Sequence, residues 1–293
     1  MEGAGFFITV AALCILSAGK AIVQGRGARR YLGGFGDSFL FIALFLLFTA
    51  LSYLPLLFSA TLSLPSVGYA AVAAVLNLLY QLSYTVALSS GPVGLTALFA
   101  ALSMLIPLFG STLFLCDGFG PARILGLVLI VITLVLNTDF KKGAGSLSGR
   151  WWLAVAVTFF SNGLSAFWQK CFVLGSHGEE IVCYNFFAYF LAALLSFLLL
   201  PFLRKKATSP LSSRRGLYLC AVAVGLLLGA YQWLFAHAQR AVEATLLYPI
   251  YNGGFIVIMT VAGAILFGER LPPRRLAATV VGIAAIILFS IVQ

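Results

Sequence analysis

The chain has 293 residues, 62% of them hydrophobic and only 9% charged, with a mean hydropathy of +1.07. A soluble domain carries about 25% charged residues, so this composition cannot cover a water-facing surface. The net charge of +10 does not restore a nucleic-acid-binding reading, because the Lys and Arg fall almost wholly beside apolar runs, where membrane orientation explains them.

A helix needs roughly 20 apolar residues to cross a hydrocarbon layer of about 30 Å. Runs of that kind fall at 5–24, 38–60, 66–88, 93–115, 120–138, 151–171, 181–203, 217–238, 243–266 and 273–291. They are continuous and rich in Leu, Ala and Phe, unlike the short alternating strands of a barrel. The expectation is an all-α integral membrane protein of ten transmembrane helices, with no room for an ATPase module. The pattern that binds ATP phosphates is also missing: Gly19-Lys20 is followed by Ala and has no Gly five residues before the Gly.

Span 1 follows Glu2 without the basic n-region or cleavage site of a secretory signal, so it is expected to stay as a helix. It contains no acid, and a basic cluster of Lys20, Arg26, Arg29 and Arg30 at and beyond its end is assigned to the loop that follows. Span 3 carries Asn77, Gln81 and Tyr84 on one helical face, with Tyr80 beside them. Span 4 has Pro107 toward its far end, and Asp117-Gly118 and Pro121 lead into span 5. A Gly/Ser-containing charged connector, Asp139–Arg150, separates the first five spans from the last five. The expected units are 1–140, a connector at 141–150, and 151–293.

Span 6 carries Thr158, Ser161, Asn162, Ser165, Trp168 and Gln169 and ends at Lys170. Span 8 carries Tyr231, Gln232, Trp233 and His237, and Arg240 and Glu243 sit in the short connection after it. Span 9 places Tyr248, Tyr251 and Asn252 around Pro249, with Gly253-Gly254 just beyond. A proline lacks the N–H of its turn and frees carbonyls, so a kinked or discontinuous span 9 is expected at the binding level. The five cysteines (Cys14, Cys116, Cys171, Cys183, Cys220) show no metal-ligand spacing and read as small packing residues. No metal or cofactor is expected.

With ten spans both termini share one side. The loops on the other side hold 15 of the 18 basic residues: Lys20, Arg26, Arg29, Arg30, Lys141, Lys142, Arg150, Arg204, Lys205, Lys206, Arg214, Arg215, Arg270, Arg274 and Arg275. The terminal side has Arg123, Lys170 and Arg240. The positive-inside rule then puts both termini outside the cytoplasm. Across a shift of 151 residues, Tyr80-Gln81 falls on Tyr231-Gln232, and Pro121-Ala122-Arg123 on Pro272-Pro273-Arg274. An odd number of spans per half makes related halves an inverted repeat, the arrangement by which transporters open one midplane site to either face.

The stretch 241–292 carries Pro249 early in span 9, Gly268-Glu269 ending it and Pro272 opening span 10. It resembles the second EamA repeat of the drug/metabolite transporter (DMT) superfamily. The resemblance implies two inverted five-helix repeats around a central cavity lined mainly by spans 1, 3, 4, 6, 8 and 9. It also implies cytoplasmic termini, opposite to the charge count, and relatives that move amino acids, other metabolites, nucleotide sugars or drugs.

Polar side chains at membrane depth cost free energy unless they meet partners or water. Asn77, Tyr80, Gln81, Tyr84, Asn162, Trp168, Gln169, Tyr231, Gln232, Trp233, Tyr248, Tyr251 and Asn252 are therefore the candidate cargo-binding residues. The alternative for each is a hydrogen bond between helices, worth about 0.6 kcal/mol. Lys170, His237, Arg240 and Glu243 are candidate gating or coupling groups. For Lys170 the alternative is snorkelling to the interface, and for Arg240 and Glu243 a local ion pair. No acid is securely placed at mid-depth, which disfavours cation cargo with tight proton exchange.

The reading is a multi-pass secondary transporter of the cell membrane. Its expected cargo is small polar or amphipathic metabolites, amino-acid-like cargo first, carried by alternating access with a proton or counter-substrate as a possible co-ion. The expected state is a monomer or homodimer, with no enzymatic activity. A flippase for lipid-linked substrates on the same scaffold is the alternative, and it needs a lateral opening between helices. A membrane enzyme ranks lower, because clustered acids or histidines near one interface are missing.

Overall fold

The computed structural model describes residues 3–31, 35–61, 63–90, 93–116, 120–137, 148–175, 177–203, 215–267 and 273–291. Eleven α-helices lie on the apolar runs: α1 (Gly3–Tyr31), α2 (Phe35–Leu57), α3 (Leu64–Ser90), α4 (Val93–Leu102), α5 (Leu105–Phe114), α6 (Pro121–Asn137), α7 (Gly149–Leu174), α8 (Ile181–Leu203), α9 (Arg215–Ala241), α10 (Ala244–Phe267) and α11 (Pro273–Ile291). Among the described residues there is no strand. Among the described residues, five helices are long and apolar enough to cross a bilayer: stretches of α1, α2, α3, α8 (with the turn before it) and α9. Shorter apolar helices accompany them. Many large apolar side chains face outward, among them Phe58, Leu64, Leu113, Phe114, Ile8 and Leu219. Water would not tolerate that surface; lipid suits it.

Helices in lipid gain nothing by hiding apolar surface from apolar tails, so close approach of backbones and interhelical hydrogen bonds must hold them. The α2–α9 crossing shows both. A Cβ on Gly225 would meet Phe48 Cβ at 2.6 Å, and one on Gly229 would meet Ser52 Oγ at 2.2 Å. In the space so left, Thr49 Oγ1 donates to the Gly225 carbonyl (3.2 Å) and Tyr53 OH to the Gly229 carbonyl (2.7 Å). On the other side α3 is stitched to α7 by Thr158 to Ser83 (2.9 Å) and Ser165 to Asn77 (3.3 Å).

Besides these, α1 packs on α9 and α10, α2 on α8, α3 on α8, α4 and α5 on α7, and α6 and α11 on each other. The contacts fix directions. Asn77–Ser165 with Ser83–Thr158 make α3 and α7 antiparallel, and Gly19–Leu227 with Gly27–Cys220 make α1 and α9 antiparallel. Trp151–Thr96 and Asn162–Ser103 make α4 and α7 parallel.

Two expectations about continuity are corrected. The fourth apolar run is not one helix: it breaks at Ser103-Met104, just before Pro107. Pro107 cannot donate to the Ser103 carbonyl, and Ile106 N donates there instead (3.1 Å). The freed Ala100 carbonyl is met by Asn162 Nδ2 from α7 (3.2 Å), which also reaches Ser103 Oγ (2.6 Å). Gly163 makes room, since a Cβ there would lie 2.6 Å from the Ser103 carbonyl oxygen. By contrast α10 runs unbroken through Pro249, which sits in its second turn. Lys20 is the second kind of correction: it is not in a loop but inside the apolar part of α1, Gly5–Gln24.

Candidate functional site

Two groups of rings are placed by the helices, one on α3 and one between α9 and α10. On α3, Tyr80 stacks on Tyr84 with centroids 5.7 Å apart. On α9, Tyr231 stacks on Phe235 at 5.3 Å, the same pairing displaced by 151 residues. Tyr251 of α10 lies 5.7 Å from Tyr231 and 5.5 Å from Phe235, Phe255 lies 6.3 Å from Tyr251, and Tyr248 lies 5.5 Å from Phe235. These spacings are those of favourable aromatic pairs.

The hydroxyl tips set the level of the cluster. Tyr251 meets both Ser17 of α1 and Tyr231. Cys14 Sγ of α1 approaches the Tyr251 carbonyl (3.5 Å), closing the α1–α10 side. Gln81 is 6% exposed, and its amide has no hydrogen-bond partner among the described residues.

Other candidates are engaged between helices. Asn162 closes the α4–α5 break, Asn77 accepts from Ser165, Trp168 Nε1 donates to the Tyr69 carbonyl (2.9 Å), and Gln169 donates to Asn185 (3.4 Å). Gln232 donates to the Tyr189 hydroxyl of α8, and Asn252 to the Tyr248 carbonyl of its own helix (2.8 Å). Trp233 and His237 stand on the opposite face of α9 from Tyr231 and Phe235. Their rings are 4.4 Å apart and both residues are exposed. Trp233 helps line a groove of about 500 Å³ with Leu16, Ser52, Tyr53, Leu56, Leu226 and Gly229, open sideways between α1, α2 and α9.

The gating candidates are placed differently from expectation. Lys170 does not snorkel: it is 2% exposed, and its ammonium donates to the Gln239 (3.0 Å) and Val242 (2.8 Å) carbonyls at the end of α9. A cation on the last carbonyls of a helix complements its dipole. Arg240 pairs with Glu179, in the turn before α8, and not with Glu243. Glu180 accepts from Ser63 and Ser66 at the start of α3, with His177 beside it. One face of the bundle is thus tied together by the α7–α8 turn.

Sequence reasoning missed Gln239, Asn185 and Lys20. Gln239 is fully buried and donates to Tyr248 OH (2.6 Å) and the Ala166 carbonyl (3.3 Å). Its spacing of four from Phe235 was the available signal. Asn185 stands alone in an apolar run. The Gly268-Glu269, Arg270, Pro272 and Asp117-Gly118 signatures lie outside the described residues, as do Lys141, Lys142 and most of the connector. No group of three or more His, Cys, Asp or Glu able to hold a metal occurs among the described residues.

No protein-family model matches the chain, and no curated protein does. A solved crystal structure of a protein whose description names no activity is similar over 99% of this chain and 97% of its own. The TM-score is 0.78 and the identity 16%. At that identity the likeness speaks for a shared helical fold alone.

Proposed function

We propose that this chain is a secondary transporter of small polar or amphipathic metabolites, working by alternating access in the cell membrane. Its ten expected spans would form two inverted five-helix repeats of the EamA type. The observation that carries the reading is the pattern of helix packing under exchange of the halves. Pairing α1 with α7, α2 with α8, α3 with α9, α4–α5 with α10 and α6 with α11 turns the α1–α9 contact into α7–α3, α2–α9 into α8–α3, and α1–α10 into α7 with α4–α5; all of these contacts occur. The directions agree with inversion, since α3 is antiparallel to α7 and parallel to α1 through the chain of contacts α3–α7–α9–α1. Two halves so related can exchange conformations around one site, which the phenol and amide groups of α3, α9 and α10 would line.

Uptake into proteoliposomes of amino acids, nucleotide sugars and cationic drugs tests the reading, with a pH gradient imposed to reveal coupling. Gln81→Ala and Gln232→Ala are expected to abolish flux while expression persists. Unchanged flux in both variants removes them from the site, and no uptake of any panel member by the wild type overturns the transport reading. The sideways groove between α1, α2 and α9 favours one alternative, a flippase whose substrate tail stays in lipid. Scrambling of a fluorescent phospholipid in the same vesicles distinguishes it.

A further inference from the structure

The outer face of α9 carries a stripe that changes character along its length. Leu226, Ala230, Trp233, His237 and Arg240 fall within an arc of about 80° at 100° per residue, and all five are exposed. Contacts fix the flanks of that arc. Gly225 and Gly229, which meet α2, lie on one side of it, and Cys220 and Leu227, which meet α1, on the other. Between the three helices runs the cleft of about 500 Å³, lined by Gly229 and Ala230 of α9, Ser52 and Leu56 of α2 and Leu16 of α1. Shifted back by 151 residues, Gly229, Ala230 and Trp233 fall on Leu78, Leu79 and Leu82. The small residues thus belong to this cleft and not to the repeat.

Depth and polarity say what fits. From Arg240 to Trp233 and Leu226 the helix drops about 10 and 21 Å. One leaflet's share of the hydrocarbon layer is about 15 Å, so the cleft lies at acyl-chain depth and Arg240 at headgroup level. The polar groups within it are engaged: Tyr53 OH donates to the Gly229 carbonyl (2.7 Å) and Ser52 Oγ to the Thr49 carbonyl (2.6 Å). A dry, apolar cleft open to lipid takes a hydrocarbon chain. Beyond Trp233 the stripe turns polar. His237 Nδ1 donates to the Trp233 carbonyl (2.8 Å), which leaves Nε2 for another partner. Arg240 pairs with Glu179 of the α7–α8 turn, and both side chains are exposed. A phosphate matches the guanidinium fork, and the carboxylate beside it matches an ammonium.

We propose that this cleft holds a zwitterionic phospholipid with a primary amine as a resident ligand. One acyl chain lies between α1, α2 and α9, the phosphate at Arg240 and His237, and the ammonium at Glu179. A net-anionic headgroup lacks the ammonium and sets its charge beside Glu179. A choline headgroup carries the positive charge with no N–H to donate. The inference is independent of the transport reading, since binding is measured without flux.

The test uses purified full-length protein in detergent and three lipids with identical chains: phosphatidylethanolamine, phosphatidylcholine and phosphatidylglycerol. At about ten times its Kd the ethanolamine lipid is expected to raise Tm by about 3 °C, with smaller shifts for the other two. A diazirine on the acyl chain of the ethanolamine lipid is expected to label the wild type at Leu56, Leu226 or Trp233, a readout that needs no variant to fold. Unlabelled ethanolamine lipid is expected to compete several-fold better than the glycerol lipid. Ala230→Phe, at an exposed position, fills the cleft and is expected to remove the label and the Tm shift while the lipid-free Tm stays. Glu179→Gln is expected to erase the preference among headgroups. Label spread evenly over outward residues such as Leu113 and Leu276 means bulk lipid only and overturns the proposal. Equal competition by all three lipids does the same, as does cleft label that survives Ala230→Phe. Selective label with no uptake of any panel member keeps this site and overturns the transport reading; uptake with evenly spread label does the reverse. Scrambling of the ethanolamine lipid that Ala230→Phe abolishes makes the cleft a path and overturns residence.

Discussion

At the scale of single residues, the buried cation Lys170 has a structural task. Lys170 is consumed by structure: its ammonium holds two carbonyls at the end of α9, next to Gln239 and Tyr248. Hydrogen bonds to a charged group are worth about 1.5–3 kcal/mol, so Lys170→Met is expected to lower stability by about 2 kcal/mol, seen as a fall in Tm in detergent. An unchanged Tm would mean the carbonyls find other partners.

Among the elements, the α2–α9 crossing and the α4–α5 break carry the packing. Gly225→Val places side-chain atoms where Phe48 Cβ and the Phe45 carbonyl already stand. Overpacking costs about 1–3 kcal/mol, and the variant is expected to show lower Tm and a lower folded yield, whereas Val at exposed Gly149 is expected to change neither. At the break, Asn162 is the only described side chain from another helix that reaches the Ala100 carbonyl. Asn162→Leu leaves that carbonyl without it, and faster amide hydrogen exchange at 100–106 is the expected result. Exchange equal to wild type would show that the break holds by Pro107 alone.

For the whole molecule, the ties at one face join non-adjacent helices: Glu180 with Ser63 and Ser66, Glu179 with Arg240, and Lys170 with the end of α9. Alternating access requires such a face to open. Glu180→Gln replaces an ionised acceptor of two hydroxyls by a neutral amide, and charged acceptors make the stronger bonds. Cys183, buried one turn away in α8, is expected to react several-fold faster with a water-soluble thiol reagent in that variant. Equal rates would mean that this end is held shut by packing instead.

What the sequence determined by itself is the helical, apolar architecture and the position of nearly every helix, because a 20-residue apolar run in lipid has to satisfy its backbone internally. It also marked the Tyr80 and Tyr231 pairs, whose ring stacking repeats at the same offset. It could not tell that Asn162 and Gln169 turn to neighbouring helices while Gln81 does not, since a polar residue on a helix face reads alike in both cases. Nor could it decide that the interruption falls at Pro107 and not at Pro249. Each proline removes a backbone donor, and what differs is the neighbourhood: at the break before Pro107, Asn162 Nδ2 of α7 donates to the freed Ala100 carbonyl, a contact between distant parts of the chain.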